Sequence, residues 1–244
     1  MSKTRIYYNH DLEDKVELII NESQSHYLVN VLKKRVGDEV FLFNEKNGEW
    51  LCAVKTKNKK NIILSKRKKI KNKNDVRPMD LWICFGIIKP KNINYLIQKV
   101  SEIGISKILP VKTEFSEKID LNYQRLNKIA IEAVEQSEGI LIPKILPLKS
   151  IKDLFKDWDK DRKIIVCDET ENKINILEVI LKNKIKKVAI FIGPIAGWSK
   201  KDREFLNGQN PFFVSLGNTL LKADTAAIFA TSCFKIAEGF RYGE

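Results

Sequence analysis

The chain has 244 residues, with 44 Lys and Arg against 31 Asp and Glu, giving a net charge of +13 and a pI near 9.4. That length buries a sizeable core in one large domain or two small ones, and a 43% hydrophobic content places the chain among globular rather than disordered proteins. The longest apolar runs fall well short of the roughly 18 residues of a membrane-spanning helix, and MSKTRIYYNH at the start lacks the apolar stretch of a signal peptide, so a cytoplasmic protein is expected.

The positive charge points to a polyanionic partner, nucleic acid first. A discount applies, because only 8 of the 44 basic residues are Arg and Asn and Ile are abundant, the drift an AT-rich genome imposes. Cys52, Cys84, Cys167 and Cys233 are scattered singly with no CxxC pair, and only His10 and His26 could add imidazoles. No metal site or disulfide framework is expected, and each cysteine reads as core packing.

Residues 1–75 read as an all-β unit. Lys15–Ile20, Glu39–Phe43, Trp50–Lys55 and Asn61–Ser65 are short runs rich in β-branched and aromatic residues, with Gly37-Asp38 and Asn47-Gly48 as turns. The spacing predicts a small barrel. Between the first two strands, Tyr27, Val31 and Leu32 mark a short helical segment, followed by Lys33, Lys34 and Arg35. That basic triple fits both a solvated face and a phosphate contact. Residues 66–77, KRKKIKNKNDVR, read as a basic linker, which sets the expected domains at 1–75 and 76–244.

From Leu81 the pattern alternates between strands and helices. Residues 81–87 form a buried strand, Asn92–Ile103 carries Ile93, Leu96, Ile97, Val100 and Ile103 on one helical face, Gly104 closes that helix, and 105–111 is the next strand. Helices follow at Arg125–Ser137 and Ile174–Asn183, with a strand at Lys163–Cys167 between them. Ala223–Ala237 reads as the terminal helix, and 238–244 as a tail too short to form an element.

Residues 188–226 are the candidate ligand site. The strand Val188–Ile192 ends at Gly193-Pro194 with Gly197 close behind, and Phe212–Leu216 ends at Gly217, so two small-residue loops leave one sheet edge. Ligands bind at the carboxyl ends of strands in such sheets. Ser199 and Asp202 form a capping box for a helix at 200–206. Neither GxGxxG nor GxxxxGK[ST] is present, which removes the common phosphate loops.

The order of GIIKPKNINYLIQKVSEIGISKILP, RLNKIAIEAVEQSE, FIGPIAGWS and VSLGNTLLKADTAA resembles the RsmE family, the ribosomal RNA small subunit methyltransferase E group of SPOUT methyltransferases. HYLVNVLKKRVGDEVFLF is similar to that family's PUA-like domain, with its pattern HHxxRVLRxxxGD. The resemblance covers nearly the whole chain. It implies an α/β fold, a SPOUT-type trefoil-knotted parallel sheet domain behind an N-terminal PUA-like small β-barrel. It also implies a homodimer that methylates N3 of a uridine in 16S rRNA, the small-subunit RNA, with S-adenosylmethionine as cofactor. Cofactor contacts carry over to Val166, Cys167, Gly193, Pro194, Ile195, Gly197, Leu216, Gly217, Leu220, Leu221 and Thr225, and RNA contacts to Lys33, Lys34 and Arg35. Uridine N3 loses its proton only well above neutral pH, so the site needs positive charge beside the anion. Lys222 and Lys89 are the catalytic candidates.

The chain departs from the family pattern at several positions. GPEGG is Gly193-Pro194-Ile195-Ala196-Gly197 here, and LGxRILRxETA has Thr219 and Lys222 in place of arginines and Asp224 in place of glutamate. The arginine of EQSER is Gly139, and Asn30 replaces the first arginine of RVLR. Losing a glutamate at 195 together with arginines at 219 and 139 reads as removal of both ends of an ion pair, which costs less than removing one. Two functions stay open: an active methyltransferase, and a non-catalytic RNA-binding or ribosome-assembly relative.

Overall fold

The computed structural model describes residues 3–57, 61–75, 79–116, 119–169 and 174–242, with 241 and 242 as backbone only. The chain divides into two compact units, Met1–Arg77 with Val134–Leu141, and Pro78–Ala133 with Ile142–Glu244.

The first unit is a five-stranded sheet. β1 (Arg5–Tyr7), β2 (Glu17–Ile19), β3 (Glu39–Asn44), β4 (Gly48–Lys57) and β5 (Ile62–Lys71) stand in the order β1-β3-β4-β5-β2. The β4–β5 ladder shifts register three times along its length, and such bulges bend a sheet around its core. That core holds Leu18, Leu28, Val40, Leu42, Val54 and Leu64, all essentially inaccessible. Between β2 and β3 lie α1 (Glu22–His26), capped by Asn21, and a π-helical turn over Tyr27–Val31.

Arg5 explains why 134–141 belongs to this unit. Its Nε donates to Glu49 Oε1 at 2.8 Å, and its Nη atoms donate to the carbonyls of Val134, Glu135 and Gly139 at 2.9, 3.0 and 2.6 Å. Its guanidinium also lies 4.2 Å from the centre of the Phe43 ring. β1 itself carries no sequence signal, being only three residues long. The linker expected at 66–77 is corrected for its first half. Residues 66–71 are strand, because antiparallel pairing to β4 satisfies their backbone whatever their charge; residues 76 and 77 lie outside the described residues.

The second unit is an α/β layer structure. β6 (Leu81–Gly86), α2 (Pro90–Ile103), β7 (Lys107–Lys112), α3 (Tyr123–Gln136), β8 (Lys144–Ile145), β9 (Lys149–Ser150), α4 (Ile151–Leu154), β10 (Lys163–Cys167), α5 (Ile176–Lys182), β11 (Val188–Ile192), α6 (Lys200–Asn207), β12 (Phe212–Val214) and α7 (Ala223–Tyr242) follow in chain order. The strands lie in the order β12-β10-β11-β6-β7-β8, all parallel, with β9 paired to β7. One face packs Ile83, Phe85, Ile165 and Ile190 against α2, α5 and α7; the other packs Cys84, Val166 and Phe191 against Trp198, Leu206 and the Phe155–Trp158 aromatic group. Cover on both faces is why these strands are unbroken apolar runs.

Two boundaries differ from the expectation. The strand after α6 stops at Val214 rather than Leu216, where the chain turns into the loop that leads to α7. The tail expected at 238–244 is helical through Tyr242, α7 running on past Ala237 and across Gly239 with no proline to end it; 243 and 244 lie outside the described residues. Among the described residues no helix is long and apolar enough to cross a membrane.

Candidate active site

The carboxyl ends of β10, β11 and β12 and the start of α2 open onto one cavity of about 560 Å³. Its walls are the peptide segments that leave those strands. Asp168 and Glu169 follow β10, Gly193 to Trp198 follow β11, and Ser215 to Ala223 join β12 to α7. Gly197 (φ +72°) and Gly217 (φ +124°) hold left-handed backbone, which a side chain would strain. Among the described residues the N–H groups of Leu216 and Leu221 donate to no protein acceptor. The cavity thus joins an apolar floor (Ile88, Ile192, Val214, Ala226) to peptide donors at its rim, a surface suited to a flat heteroaromatic group with polar edges.

Most sequence-derived positions meet here. Cys167, Gly193, Pro194, Ile195 and Gly197 line one side, and Leu216, Gly217, Leu220, Leu221 and Lys222 the other, with Lys89 at the N-cap of α2. Ile195 and Leu220 are exposed, at 70% and 80%. Two positions do not reach the cavity. Val166 alternates to the opposite sheet face and is buried there with Phe191 and Trp198, since neighbouring strand residues point opposite ways. Thr225 is exposed on the first turn of α7, where Ala223 and Ala226 face the cavity instead. Of the three altered positions read as a coupled set, Ile195 and Thr219 share the cavity wall, whereas Gly139 belongs to the first unit and serves Arg5.

Two lining residues, Trp198 of the FIGPIAGWS motif and Asp168 at the end of the β10 segment, are held by partners the sequence does not pair with them. Trp198, 3% exposed, donates from Nε1 to the Cys167 carbonyl at 3.0 Å and ties the β11 loop to the end of β10. Asp168 is fully buried and binds Arg203 of α6 through two hydrogen bonds, Nε to Oδ2 at 2.6 Å and Nη2 to Oδ1 at 3.2 Å. Ser199 caps α6 as expected, accepting from the Asp202 N–H at 3.0 Å, and Asp202 Oδ2 accepts from the Glu114 N–H at 3.1 Å. Only pairing across 35 residues reveals Arg203, a separation sequence periodicity does not see. Burial pushes the Cys167 thiol well above its ordinary range, so it is neutral wall rather than a nucleophile. Among the described residues no group of three or more His, Cys, Asp or Glu is placed to hold a metal ion.

Lys33, Lys34 and Arg35 lie in the first unit, in the turn between the π-helical segment and β3. Lys33 takes a left-handed backbone (φ 55°), the Lys34 ammonium donates to the Glu39 carbonyl at 3.1 Å, and the Arg35 N–H donates to Asp38 at 2.8 Å. The turn is therefore structured by its backbone, and the Lys33 and Arg35 side chains are exposed.

The RNA methyltransferase domain family matches residues 75–235, and the RNA methyltransferase PUA domain family matches residues 20–66. A "Ribosomal RNA small subunit methyltransferase E" from Rickettsia conorii is 33% identical over 234 residues, covering 94% of each chain. The chain belongs to the ribosomal RNA small subunit methyltransferase E family. A Bacillus subtilis member of that family is 25% identical over 232 residues, covering 91% of this chain and 90% of that one. The fold agrees as well. The crystal structure of a family member from Neisseria gonorrhoeae bound to S-adenosyl methionine superposes with a TM-score of 0.86 at 19% identity, over 96% of this chain and 97% of that one. A putative methyltransferase from Legionella pneumophila in complex with the same cofactor gives 0.84 at 23% identity, over 97% and 98%. The second unit accordingly has the SPOUT α/β fold with its parallel sheet, and the first is PUA-like.

Proposed function

We propose that this family member transfers a methyl group from S-adenosylmethionine to N3 of a uridine in 16S rRNA, acting as a cytoplasmic homodimer without a metal ion. The observation that carries the reading is the single cavity built by both glycine loops at the carboxyl edge of the sheet. Its residues fit the cofactor: apolar side chains for the adenine faces, free peptide N–H groups for its edges, and Glu169 on the wall near a cationic ligand.

When bound, the cofactor supplies an electrophilic methyl on a sulfonium. The protein's part is to place uridine N3 in line with that methyl and to favour the N3 anion over its protonated form. Lys89, the N-cap of α2, and Lys222, just before α7, line the cavity, and their ammonium groups would stabilise charge spread over N3, O2 and O4. A covalent route through a cysteine has no support. Burial raises the pKa of all four thiols, that of Cys52 to about 12. The exposed Lys33–Arg35 turn supplies phosphate contacts. Homodimerisation is supported by Phe229, Ile236 and Phe240, exposed at 42%, 52% and 75% and spaced to share one stripe of α7.

Ile195 and Thr219 on the cavity wall, where the family pattern has charge, favour the non-catalytic alternative. Mass spectrometry of small-subunit rRNA from cells lacking the gene decides between them. Loss of 3-methyluridine is expected, and an unchanged level overturns the enzyme reading.

A further inference from the structure

The cavity lining carries two large apolar side chains that the core does not use. Ile195 follows Pro194 in a tight turn closed by the Gly197 N–H on the Pro194 carbonyl at 2.9 Å, and Leu220 stands in the loop between β12 and α7. Both are mostly exposed and belong to none of the apolar clusters, whereas Leu216 and Leu221 of the same lining pack against the core of the second unit. The floor residues Ile88, Ile192 and Val214 are buried, so Ile195 and Leu220 stand where the cavity opens to solvent. Among the described residues the other exposed side chains of the lining, Lys89, Glu169, Thr219 and Lys222, are polar, and its one aromatic ring, Trp198, is buried. A single exposed aliphatic residue is ordinary surface; two on different loops of one cavity make an apolar rim.

We propose that Ile195 and Leu220 bind the target base of the RNA by its faces while its N3 meets the methyl group. This inference rests on the proposed function. N3 lies on the edge that a uridine uses for pairing, so the base must leave its stack and any partner before it reaches a cofactor on the floor of a cavity. A nucleotide still joined to its RNA enters through the opening, having lost its stacking neighbours, and needs flat contact in their place. Proteins supply that contact with aromatic or apolar side chains. With no exposed ring in the lining, the two aliphatic side chains are the ones that can do so, while Lys89 and Lys222 serve the oxygens of the base edge. Likeness to the family implies that Ile195 and Leu220 touch the cofactor; their exposure at the opening assigns their side chains instead to the reactant that enters from solvent. Ile195 stands where the family pattern has glutamate, so the apolar rim is a feature of this chain.

The test titrates the full chain, saturated with S-adenosylhomocysteine to prevent turnover, with two rRNA fragments. One is a fragment that wild type methylates; the other is the same fragment with the methylated uridine, located by mass spectrometry, replaced by an abasic nucleotide. Wild type is expected to bind the uridine fragment at least about tenfold more tightly. Ile195→Ser combined with Leu220→Ser should bring the two fragments within about twofold of each other, with affinity for the abasic fragment and for S-adenosylmethionine within about twofold of wild type. Ile195→Val combined with Leu220→Met keeps apolar contact and should retain most of the preference. The slope of log affinity against log salt should be the same in wild type and both variants, because no phosphate contact is removed. Equal binding of the two fragments by wild type overturns the inference and leaves the proposed function standing. So does a serine variant that keeps the wild-type preference, weakens both fragments alike or loses cofactor affinity. A serine variant that falls to a lower oligomeric state in sedimentation overturns it too, since a second copy of the chain then covers the rim. Absence of rRNA methylation by wild type overturns both.

Discussion

The two units present different kinds of surface. Residues 1–77 with 134–141 carry 18 Lys and Arg against 12 Asp and Glu, while the rest of the chain carries 26 against 19, so a nearly equal positive surplus is spread over about half as many residues in the smaller unit. That unit has a closed apolar core and offers side chains on its surface. The larger unit offers a cavity whose shape comes mainly from backbone, in the turns after three parallel strands. The difference explains where the chain tolerates change. A peptide N–H survives any substitution at its residue except proline, so Ile195 and Thr219 can replace charged residues with the loops intact. A surface that works by charge instead drifts readily between Arg and Lys.

The largest expected effect breaks the first unit alone. Arg5→Ala leaves the Glu49 carboxylate, 1% exposed, without its hydrogen-bonded partner and frees three carbonyls, and removing one member of a buried pair costs about 3–5 kcal/mol. Chemical denaturation should show that loss while calorimetric affinity for S-adenosylmethionine in native buffer is unchanged. A parallel fall in affinity would mean that the two units do not work separately. Next in size, Lys222→Ala should lower methyl transfer about 10²–10³-fold, the usual scale for one charge-stabilising group, with cofactor affinity held within a few fold. Equal losses in both would reassign Lys222 to binding. Gly86→Ala should cost about 1–3 kcal/mol as overpacking, because an added Cβ would meet Pro194 Cδ and N at 2.7 Å. Since Pro194 belongs to the cavity loop, cofactor affinity should fall with stability, in contrast to Arg5→Ala.

How much the sequence reveals follows the same division. β6, β10 and β11 are legible because burial on both faces writes an unbroken apolar run, and α2 because one face repeats Ile93, Leu96, Ile97 and Val100. The Ser199 cap is legible because its chemistry spans three residues. β1, β8 and β9 are not, since two or three residues cannot show a period. Residues 66–71 mislead, because pairing to β4 rather than composition makes them a strand. In the cavity, the glycine turns announce themselves, whereas Asp168–Arg203 and Trp198–Cys167 depend on chain crossings 35 and 31 residues apart. A knot is the extreme case, since nothing local encodes it and only likeness to known chains predicts it.

The smallest expected effect tests the charged surface without touching the cavity. Lys33, Lys34 and Arg35 sit in a turn whose conformation is set by backbone bonds, Lys34 N–H to the Leu28 carbonyl at 2.9 Å and Arg35 N–H to Asp38. Replacing all three by Glu should therefore leave the fold and cofactor affinity as they are. If the turn contacts RNA phosphates, each lost contact removes one released counterion, and the slope of log affinity against log salt should flatten by about 0.7 per contact on single-stranded RNA, so by about 2 for the triple. Electrophoretic or fluorescence titrations of an rRNA fragment between low and moderate salt measure it. An unaltered slope would return the triple to ordinary solvated charge and move the RNA surface to other basic residues, Arg67 and Lys68 on β5 being exposed in the same unit.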